Sequence, residues 1–268
     1  MFRFKHPILF AAFIAIFLFH CIQVTSEPDG DQHEFNYNRG SGKGPNRWSK
    51  IHEEWSVCGK GNMQSPIDLL DEKVEVFKHL GRLKKSYKPS NATLVNRGHD
   101  IMVKWEDGAG AIYVNGTKYI LKQGHWHTPS EHTINGRSFA LEAHLVHETN
   151  DKRRAVLAIL YKIGQKDNFI SQVADYLRDI ANSKDEEKEV GVIDPRDVKL
   201  GSRKYYRYMG SLTAPPCTEG VIWTIVKKVR TVSREQLKLL WDAVHDGYEK
   251  NARPTQPSND RIVALYRP

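Results

Sequence analysis

Histidines are concentrated in one short stretch of the chain, KQGHWHTPSEH, which runs from Lys122 to His132. His125 and His127 are separated only by Trp126. Imidazole is the commonest metal ligand among side chains. A chance cluster on a solvated loop is the simpler explanation, so the metal-site hypothesis depends on the elements that carry these residues.

A β-hairpin signal precedes the histidines. The sequence YVNGTKY holds Asn115-Gly116 between β-prone residues, and Asn-Gly is favoured in two-residue hairpin turns. The second strand of this hairpin is predicted to run from about Thr117 through His127. Because side chains alternate across a strand, Gln123, His125 and His127 are expected on one face.

A second alternating segment, SFALEAHLVHE, supplies a third histidine on the matching face. Glu142, His144 and Val146 share one face of this segment, and the apolar residues that alternate with them share the other. If the two strands pair, His144 joins His125 and His127, and a set of three histidines leaves the fourth position that a catalytic zinc needs. Gln123 and Glu142 are then placed to accept the second ring N–H of a metal-bound histidine. By contrast, His132 and His147 are predicted to be structural.

Composition indicates an ordinary soluble domain: 268 residues, 40% hydrophobic and 27% charged, with a formal net charge of +8. The basic runs GRLKK and VKKVR are short and scattered, so we expect no nucleic-acid binding. Many short β-prone segments between turn signals predict a mostly β single domain. Two helices are predicted, over 168–182 and 233–246, and the run SKDEEKE, 183–189, is expected to be an exposed loop.

The first 26 residues resemble a secretory signal peptide, with a basic start and an apolar run over 8–19. That run is too short to span a membrane, which takes about 20 apolar residues, so we expect no membrane anchor. The mature domain is then 27–268, beginning with a polar arm over 27–46. Cleavage removes Cys21 and leaves Cys58 and Cys217, for which a disulfide is predicted. Asn91 and Asn115 head glycosylation triplets.

The motifs QGHWHTPSEH, LEAHLVHE, GSLTAPPC and NARPTQP together resemble the α-class carbonic anhydrases, particularly plant members. The resemblance covers nearly the whole mature chain, from GPNRW and QSPIDL to the C-terminus. It implies a large central twisted sheet, mainly antiparallel, with short peripheral helices and zinc at the base of a conical cleft.

The resemblance also implies a role for each matching residue. Zinc ligands would be His125, His127 and His144, with Gln123 and Glu142 as their hydrogen-bond partners. Thr213 would accept a hydrogen bond from zinc-bound hydroxide, Glu131 would hold the threonine proton, and His99 would relay protons to solvent. The substrate-binding residues beside Thr213 would be Val146, Val156, Leu212, Ala214 and Trp223.

The implied reaction is attack of zinc-bound hydroxide on carbon dioxide, giving bicarbonate and a proton. Two residues depart from the family pattern. Ala214 stands where many members have a second threonine, which removes one hydrogen bond on the substrate side. Gly124 stands where a bulkier residue is usual, which predicts a looser ligand strand and lower activity.

Two alternative functions remain open from the sequence. A cupin would use His125, His127 and Glu131 to bind manganese or iron, but a second cupin motif with its Pro and Gly is missing. A storage protein similar to those of yam tubers would share the fold without needing activity. The protein is expected to be secreted or, alternatively, to reach the chloroplast stroma after entering the secretory route. The sequence does not indicate an oligomeric state.

Overall fold

The computed structural model describes residues 34–106, 108–181, 187–244 and 247–268, so the predicted signal peptide lies outside the described residues. Strands predominate in what is described. They are β1 Asp68–Leu69, β2 Glu75–Val76, β3 Lys84–Lys85, β4 Ser90–Asn96, β5 Ile101–Trp105, β6 Ala111–Val114, β7 Thr117–His127, β8 Thr133–Ile134, β9 Leu141–Glu148, β10 Arg154–Ile163, β11 Glu187–Ile193, β12 Tyr205–Ser211, β13 Glu219–Val226, β14 Arg230–Val232 and β15 Ala264–Tyr266.

One large sheet contains most of these strands. Its order is β11-β4-β5-β7-β9-β10-β13-β12-β15-β2, while β14 pairs with β10, and β6 pairs with both β3 and β7. Most neighbours are antiparallel; β10 pairs in parallel with β13 and β14, and β15 with β2. The predicted mostly β fold with a large, mainly antiparallel sheet is confirmed.

The central strand β10 is buried on both faces, which explains its unbroken apolar sequence AVLAILY. Leu157 and Ile159 pack into a cluster that includes Phe169 and Ile170, whereas Val156 and Leu160 pack into a second cluster with Trp223. The sheet therefore separates a large core from the layer in which the histidines lie.

The helices are α1 Val57–Lys60, α2 Asn168–Ile180 and α3 Arg234–Ala243, with short 3-10 turns at Trp48–Lys50, Glu53–Trp55, Lys78–Leu80 and Pro195–Asp197. Helix α2 begins after Asp167, whose carboxylate caps two backbone N–H groups. Helix α3 begins with a capping box formed by Ser233 and Gln236. It ends before Val244, whose backbone is extended, so the predicted end at 246 was too late. No helix among the described residues is long and apolar enough to cross a membrane.

Two segments differ from their prediction. The run 183–189 was expected to be a loop, but Glu187 to Glu189 form the start of β11, which pairs with β4 at the edge of the sheet. Residues 182–186 lie outside the described residues. The described part of the predicted polar arm is not a solvated extension, because Phe35 and Tyr37 are buried against Trp48.

Candidate metal centre and its cavity

Strands β7 and β9 bring the predicted metal ligands together. In their antiparallel pairing His125 lies opposite His144, and His127 lies opposite Glu142. A register shift between Leu121 and Gln123 places a bulge before the ligands, and the pairing is regular beyond it. The faces are therefore those that the alternation of the sequence predicts.

The three rings converge on one point. Their centroids are 5.0 Å apart for His125 and His127, 5.1 Å for His125 and His144, and 4.7 Å for His127 and His144. One ring nitrogen of each lies within 4.8 Å of the other two. This geometry suits a single metal ion bound by three imidazoles.

The second nitrogen of each ring has a hydrogen-bond acceptor. His125 Nδ1 is 2.8 Å from Gln123 Oε1, His127 Nδ1 is 2.8 Å from the Asn251 carbonyl oxygen, and His144 Nε2 is 2.8 Å from Glu142 Oε1. These contacts assign the proton of each neutral ring to that nitrogen. They leave Nε2 of His125, Nε2 of His127 and Nδ1 of His144 for the metal. His127 Nε2 is buried and has no hydrogen-bond partner among the described residues, as a ligand atom without its metal would.

Two of the rings are held in the neutral form that binds metal. Burial lowers the pKa of His125 well below its ordinary value, although the nearby carboxylate of Asp100 acts in the opposite direction. Burial also lowers the pKa of His144 despite its contact with Glu142. A neutral imidazole presents a free lone pair, so no proton has to leave before metal binds.

Glu142 connects the candidate metal centre to His132, which the sequence predicts to be structural. Its Oε1 accepts hydrogen bonds from His144 Nε2 at 2.8 Å and from His132 Nδ1 at 2.7 Å. Burial acts to raise the pKa of Glu142, but His132 and His144 outweigh it and hold the pKa well below the ordinary value. His132, Glu142 and His144 also form a possible metal-binding group. Because they already hydrogen-bond to one another, the first set is the better metal site.

Asn251 contacts the candidate site, and sequence reasoning missed it. It belongs to the motif NARPTQP, but no local pattern links it to β7, which lies more than a hundred residues earlier. Its carbonyl orients His127, and its side chain accepts from the Thr128 backbone N–H at 2.8 Å and donates to the His99 carbonyl at 2.7 Å. It therefore joins the ligand strand to the turn that carries His99.

The metal centre lies at a cavity of about 220 Å³. The cavity is lined on one side by the predicted apolar residues Val146, Val156, Leu212 and Trp223, with Thr213 and Ala214 beside them. Val146 and Val156 are direct partners in the β9–β10 pairing, and Trp223 is held by a hydrogen bond to the Ser211 carbonyl at 2.9 Å. A small apolar molecule therefore has an apolar surface close to the three histidines.

The predicted bond between Thr213 and Glu131 is not formed in this structure. Glu131 Oε1 accepts the backbone N–H of Arg253 at 2.9 Å, whereas Oε2 is buried without a hydrogen-bond partner among the described residues. Glu131 Oε2 is also 3.6 Å from His127 Nε2. Thr213 is buried and lines the cavity, so its predicted role stays a prediction.

His99 lines the same cavity but has little exposure to solvent. Its side chain is 6% exposed, its ring centroid is 5.3 Å from that of Phe35, and its Nε2 is 3.6 Å from Asp100 Oδ2. Asp100 is in turn bound by Arg97, whose Nε and Nη2 donate at 2.7 and 2.6 Å. The sequence did not predict this aromatic and ionic surrounding.

A model of the eukaryotic-type carbonic anhydrases matches residues 43–267. The chain belongs to this family. The enzyme class predicted from the sequence is thereby confirmed.

Similar proteins include carbonic anhydrases and dioscorins. Alpha carbonic anhydrase 7 of Arabidopsis thaliana is 58% identical over 264 residues, covering 97% of this chain and 96% of that protein. Dioscorin DB3L of Dioscorea polystachya is 46% identical over 250 residues, covering 93% and 91%. A crystal structure of dioscorin complexed with ascorbate has a TM-score of 0.85 at 46% identity, covering 87% of this chain and 98% of the other. The α-carbonic anhydrase of Thermovibrio ammonificans has a TM-score of 0.79 at 35% identity, covering 86% and 98%.

The two departures of this carbonic anhydrase chain have different surroundings. A Cβ added at Gly124 would lie 2.9 Å from Leu145 Cδ2 and 3.6 Å from a ring carbon of Trp105. The space of the missing side chain is therefore already filled by core residues, which gives no support to a loose strand. Ala214 lies at the edge of the cavity and brings no hydroxyl to it.

The predicted disulfide is confirmed: Cys58 and Cys217 are joined, with their Cα atoms 5.1 Å apart. It is buried beside Phe35, Tyr37 and Trp48, close to the turn that contains Thr213 and Ala214. Asn91 and Asn115, which head the two glycosylation triplets, are both exposed.

Proposed function

We propose that this protein catalyses the reversible hydration of carbon dioxide to bicarbonate and a proton, with Zn²⁺ as its cofactor. The observation that carries the proposal is the convergence of one ring nitrogen from each of His125, His127 and His144. Three nitrogen ligands match a catalytic zinc site, which keeps one position open. When bound, zinc lowers the pKa of water from 15.7 to about 7 and so supplies a nucleophile at neutral pH.

The residues that contact the three ligands would hold their rings in a fixed orientation and set the affinity for the metal. Gln123, the carbonyl of Asn251 and Glu142 each accept one ring N–H, which keeps the rings from rotating. Such outer contacts typically change metal affinity or activity by about 10- to 100-fold. Glu142 also adds negative charge next to His144, which makes that imidazole a stronger electron-pair donor to the metal.

We assign the apolar wall of Val146, Val156, Leu212 and Trp223 to carbon dioxide. The molecule is uncharged and small, and these side chains offer no hydrogen bond that would hold water in its place. Thr213 is the polar residue next to this wall, and its hydroxyl would orient the attacking oxygen. Ala214 offers no such contact, so bicarbonate would leave with one hydrogen bond fewer to break.

His99 is proposed to carry the proton from the cavity to solvent. An imidazole accepts and releases protons near neutral pH, which suits this relay. Support comes from its place in the cavity wall and from the carboxylate of Asp100, whose Oδ2 is 3.6 Å from His99 Nε2.

The proposal is tested with purified protein by stopped-flow hydration of carbon dioxide and by elemental analysis. We expect about one zinc per chain, loss of activity with a chelator and recovery when zinc is added. His144→Gln removes one ligand and should lower both zinc content and activity, while His79→Gln, at an exposed histidine outside the cavity, should change neither. Full zinc and full activity in His144→Gln would overturn the ligand assignment.

The storage-protein reading is favoured by the similarity to dioscorin. The same measurements separate the two functions. A protein that binds zinc yet shows no hydration above the buffer rate would support storage and reject the enzymatic proposal.

We further propose that the chain enters the secretory route, cleaved after Ser26 and secreted, with the chloroplast stroma as the alternative destination. The Cys58–Cys217 disulfide and the exposed Asn91 and Asn115 support this, because both features suit an oxidising, glycosylating compartment. Protein from the native tissue should begin at Glu27 and shift in mass after glycosidase treatment. An unprocessed N-terminus at Met1 would contradict the proposal.

A further inference from the structure

A cleft on a different part of the surface gathers basic residues from two distant segments, and we call it the basic cleft. Its volume is about 780 Å³. Residues 82–85 form one side and residues 199–205 form the other, together with Val226. The sequence shows these basic residues as short separate runs, and only the fold brings them together.

The basic cleft has a strong excess of positive charge. Six of its lining residues are basic and none is acidic: Arg82, Lys84, Lys85, Lys199, Arg203 and Lys204. Lys199 Nζ is 3.1 Å from Asp197 Oδ1, which compensates one charge. Within the part of the chain that the structure describes, the other five form no ion pair. Partial burial, Lys199 and Arg82 together lower the pKa of Lys85, which shows that the charges repel one another.

Both sides of the cleft are held in place by the sheet. Lys84 and Lys85 form β3, which pairs with Ile112 and Tyr113 of β6. The Tyr205 hydroxyl donates to the Gly81 carbonyl at 2.9 Å and so ties the two sides together. The backbone on both sides of the cleft is therefore held in place by hydrogen bonds.

We propose that the basic cleft binds a small molecule that carries several phosphate groups. A volume of about 780 Å³ lies within the range of about 300 to 1,000 Å³ that is usual for small-ligand pockets. Five uncompensated cations match a ligand of several negative charges better than a single anion. Arg82 and Arg203 offer planar forks that fit phosphate oxygens bidentately, and the lysines act as point charges around them.

The basic cleft is separate from the active-site cavity. No residue lines both of them. Substitutions in the cleft should therefore leave zinc content and carbon dioxide hydration unchanged, and these two measurements serve as the control for correct folding. The urea unfolding midpoint of each variant is a second folding control that does not need the proposed function, so the two proposals can fail separately.

Isothermal titration calorimetry at about 0.15 M salt tests the proposal, because at that ionic strength distant surface charges are largely screened. The probes are inositol hexakisphosphate, inorganic tripolyphosphate and inorganic sulfate. We expect one site for either phosphate probe and much weaker binding of sulfate. The ratio of the two phosphate affinities then shows whether a phosphorylated polyol or a linear polyphosphate fits better.

Location is tested with two variants of equal net charge. Arg82→Gln/Arg203→Gln removes two cations of the cleft, and affinity should fall at least about tenfold, since hydrogen bonds to charged groups are involved. The control Lys60→Gln/Lys238→Gln removes two exposed cations elsewhere and should bind as the wild type does. Equal loss in both variants, or binding of sulfate as tight as that of the phosphates, would overturn the proposal. So would tighter binding of DNA or polygalacturonate than of either phosphate probe, because the cleft would then serve a macromolecule.

Discussion

At the scale of single residues, the buried histidines differ in what contacts their two ring nitrogens. His127 has one nitrogen bound to the Asn251 carbonyl and the other without a partner among the described residues. His132 has both nitrogens occupied, by Glu142 and the Tyr208 hydroxyl, and His147 by the Tyr87 hydroxyl and the Ala155 carbonyl. A ring with both nitrogens satisfied has no lone pair for a metal. The prediction that His132 and His147 are structural agrees with these contacts.

His147 should make stability depend on pH. Burial lowers the pKa of His147 to about 4, below the ordinary value of about 6.5. As pH falls from about 6.5 to 4, the unfolded chain takes up a proton that the folded chain refuses, so stability decreases. Between pH 7 and pH 5 the wild type should lose about 2 kcal/mol through this residue.

Urea unfolding at both pH values checks this expectation. His147→Gln should be less stable at pH 7 but should lose about 2 kcal/mol less than the wild type between pH 7 and pH 5. His79→Gln, at an exposed histidine, controls for the mere loss of an imidazole. Parallel pH profiles for His147→Gln and the wild type would contradict the assignment of a depressed pKa.

His99→Ala should separate proton transfer from hydration. If His99 relays protons, turnover at low buffer should fall by roughly ten- to a hundredfold, because water alone must then accept the proton. Since kcat/KM reports steps through bicarbonate release, it should stay close to the wild-type value. Stopped-flow hydration at low and high imidazole concentration measures both constants.

Imidazole in solution should restore the turnover of His99→Ala, whereas His79→Ala should need no rescue. A matched fall in kcat and kcat/KM would show that the His99 side chain, which packs on Phe35, supports the cavity instead of relaying protons. Unchanged kcat at low buffer would remove His99 from the reaction.

At the scale of elements, the sequence predicts the ligand strands well because the information is local. Asn115-Gly116 marks the hairpin turn, and strict alternation marks the faces of β7 and β9. The contacts that complete the site are not local. Asn251 reaches His127 across 124 positions, and Arg253 reaches Glu131 across 122, so no periodicity or turn signal records them. The bulge before Gln123 is equally hidden, because it depends on the partner strand.

Gly124 tests how tightly β7 packs on the core. A Cβ there would be 2.9 Å from Leu145 Cδ2, and Leu145 is itself buried in the core cluster. We therefore expect Gly124→Ala to lower the free energy of unfolding by about 1 kcal/mol, because overpacking outweighs the gain from a less flexible unfolded chain.

Gly42→Ala is the matched control, since a Cβ at Gly42 meets nothing within 4 Å. Its effect should stay within about 0.5 kcal/mol. Chemical unfolding of both variants gives the comparison. If Gly124→Ala is as stable as the wild type or more so, Leu145 has room to move, and the strand is looser than its packing indicates.

At the scale of the whole molecule, segments far apart in sequence close around the site. Arg253 is buried and donates to the carbonyls of Ser65 at 2.8 Å and Cys58 at 2.8 Å, while Phe35 packs on the ring of His99. The N-terminal segment thereby forms part of the cavity, which its polar, Gly-rich sequence does not suggest. The same folding gathers the basic cleft from two runs that the sequence shows as scattered.

The Cys58–Cys217 disulfide fixes the N-terminal segment to the turn after Thr213. The bond closes a separation of 159 residues, for which the chain-entropy model gives about 5 kcal/mol of stabilisation, and measured values are usually smaller. We expect Cys58→Ala/Cys217→Ala to lose about 2 to 5 kcal/mol of unfolding free energy. Zinc content should remain near that of the wild type, because the three ligands lie on β7 and β9 and not on the tethered segments.

Thermal and urea unfolding measure the loss, and wild-type protein treated with a thiol reductant controls for the two truncated side chains. Reduction should destabilise the wild type and leave the double variant unchanged, because only the wild type has a bond to break. Activity should fall more than zinc content, since Thr213 and Phe35 border the cavity next to the bond. Equal unfolding midpoints for oxidised wild type, reduced wild type and the double variant would show that the aromatic cluster alone holds these segments together.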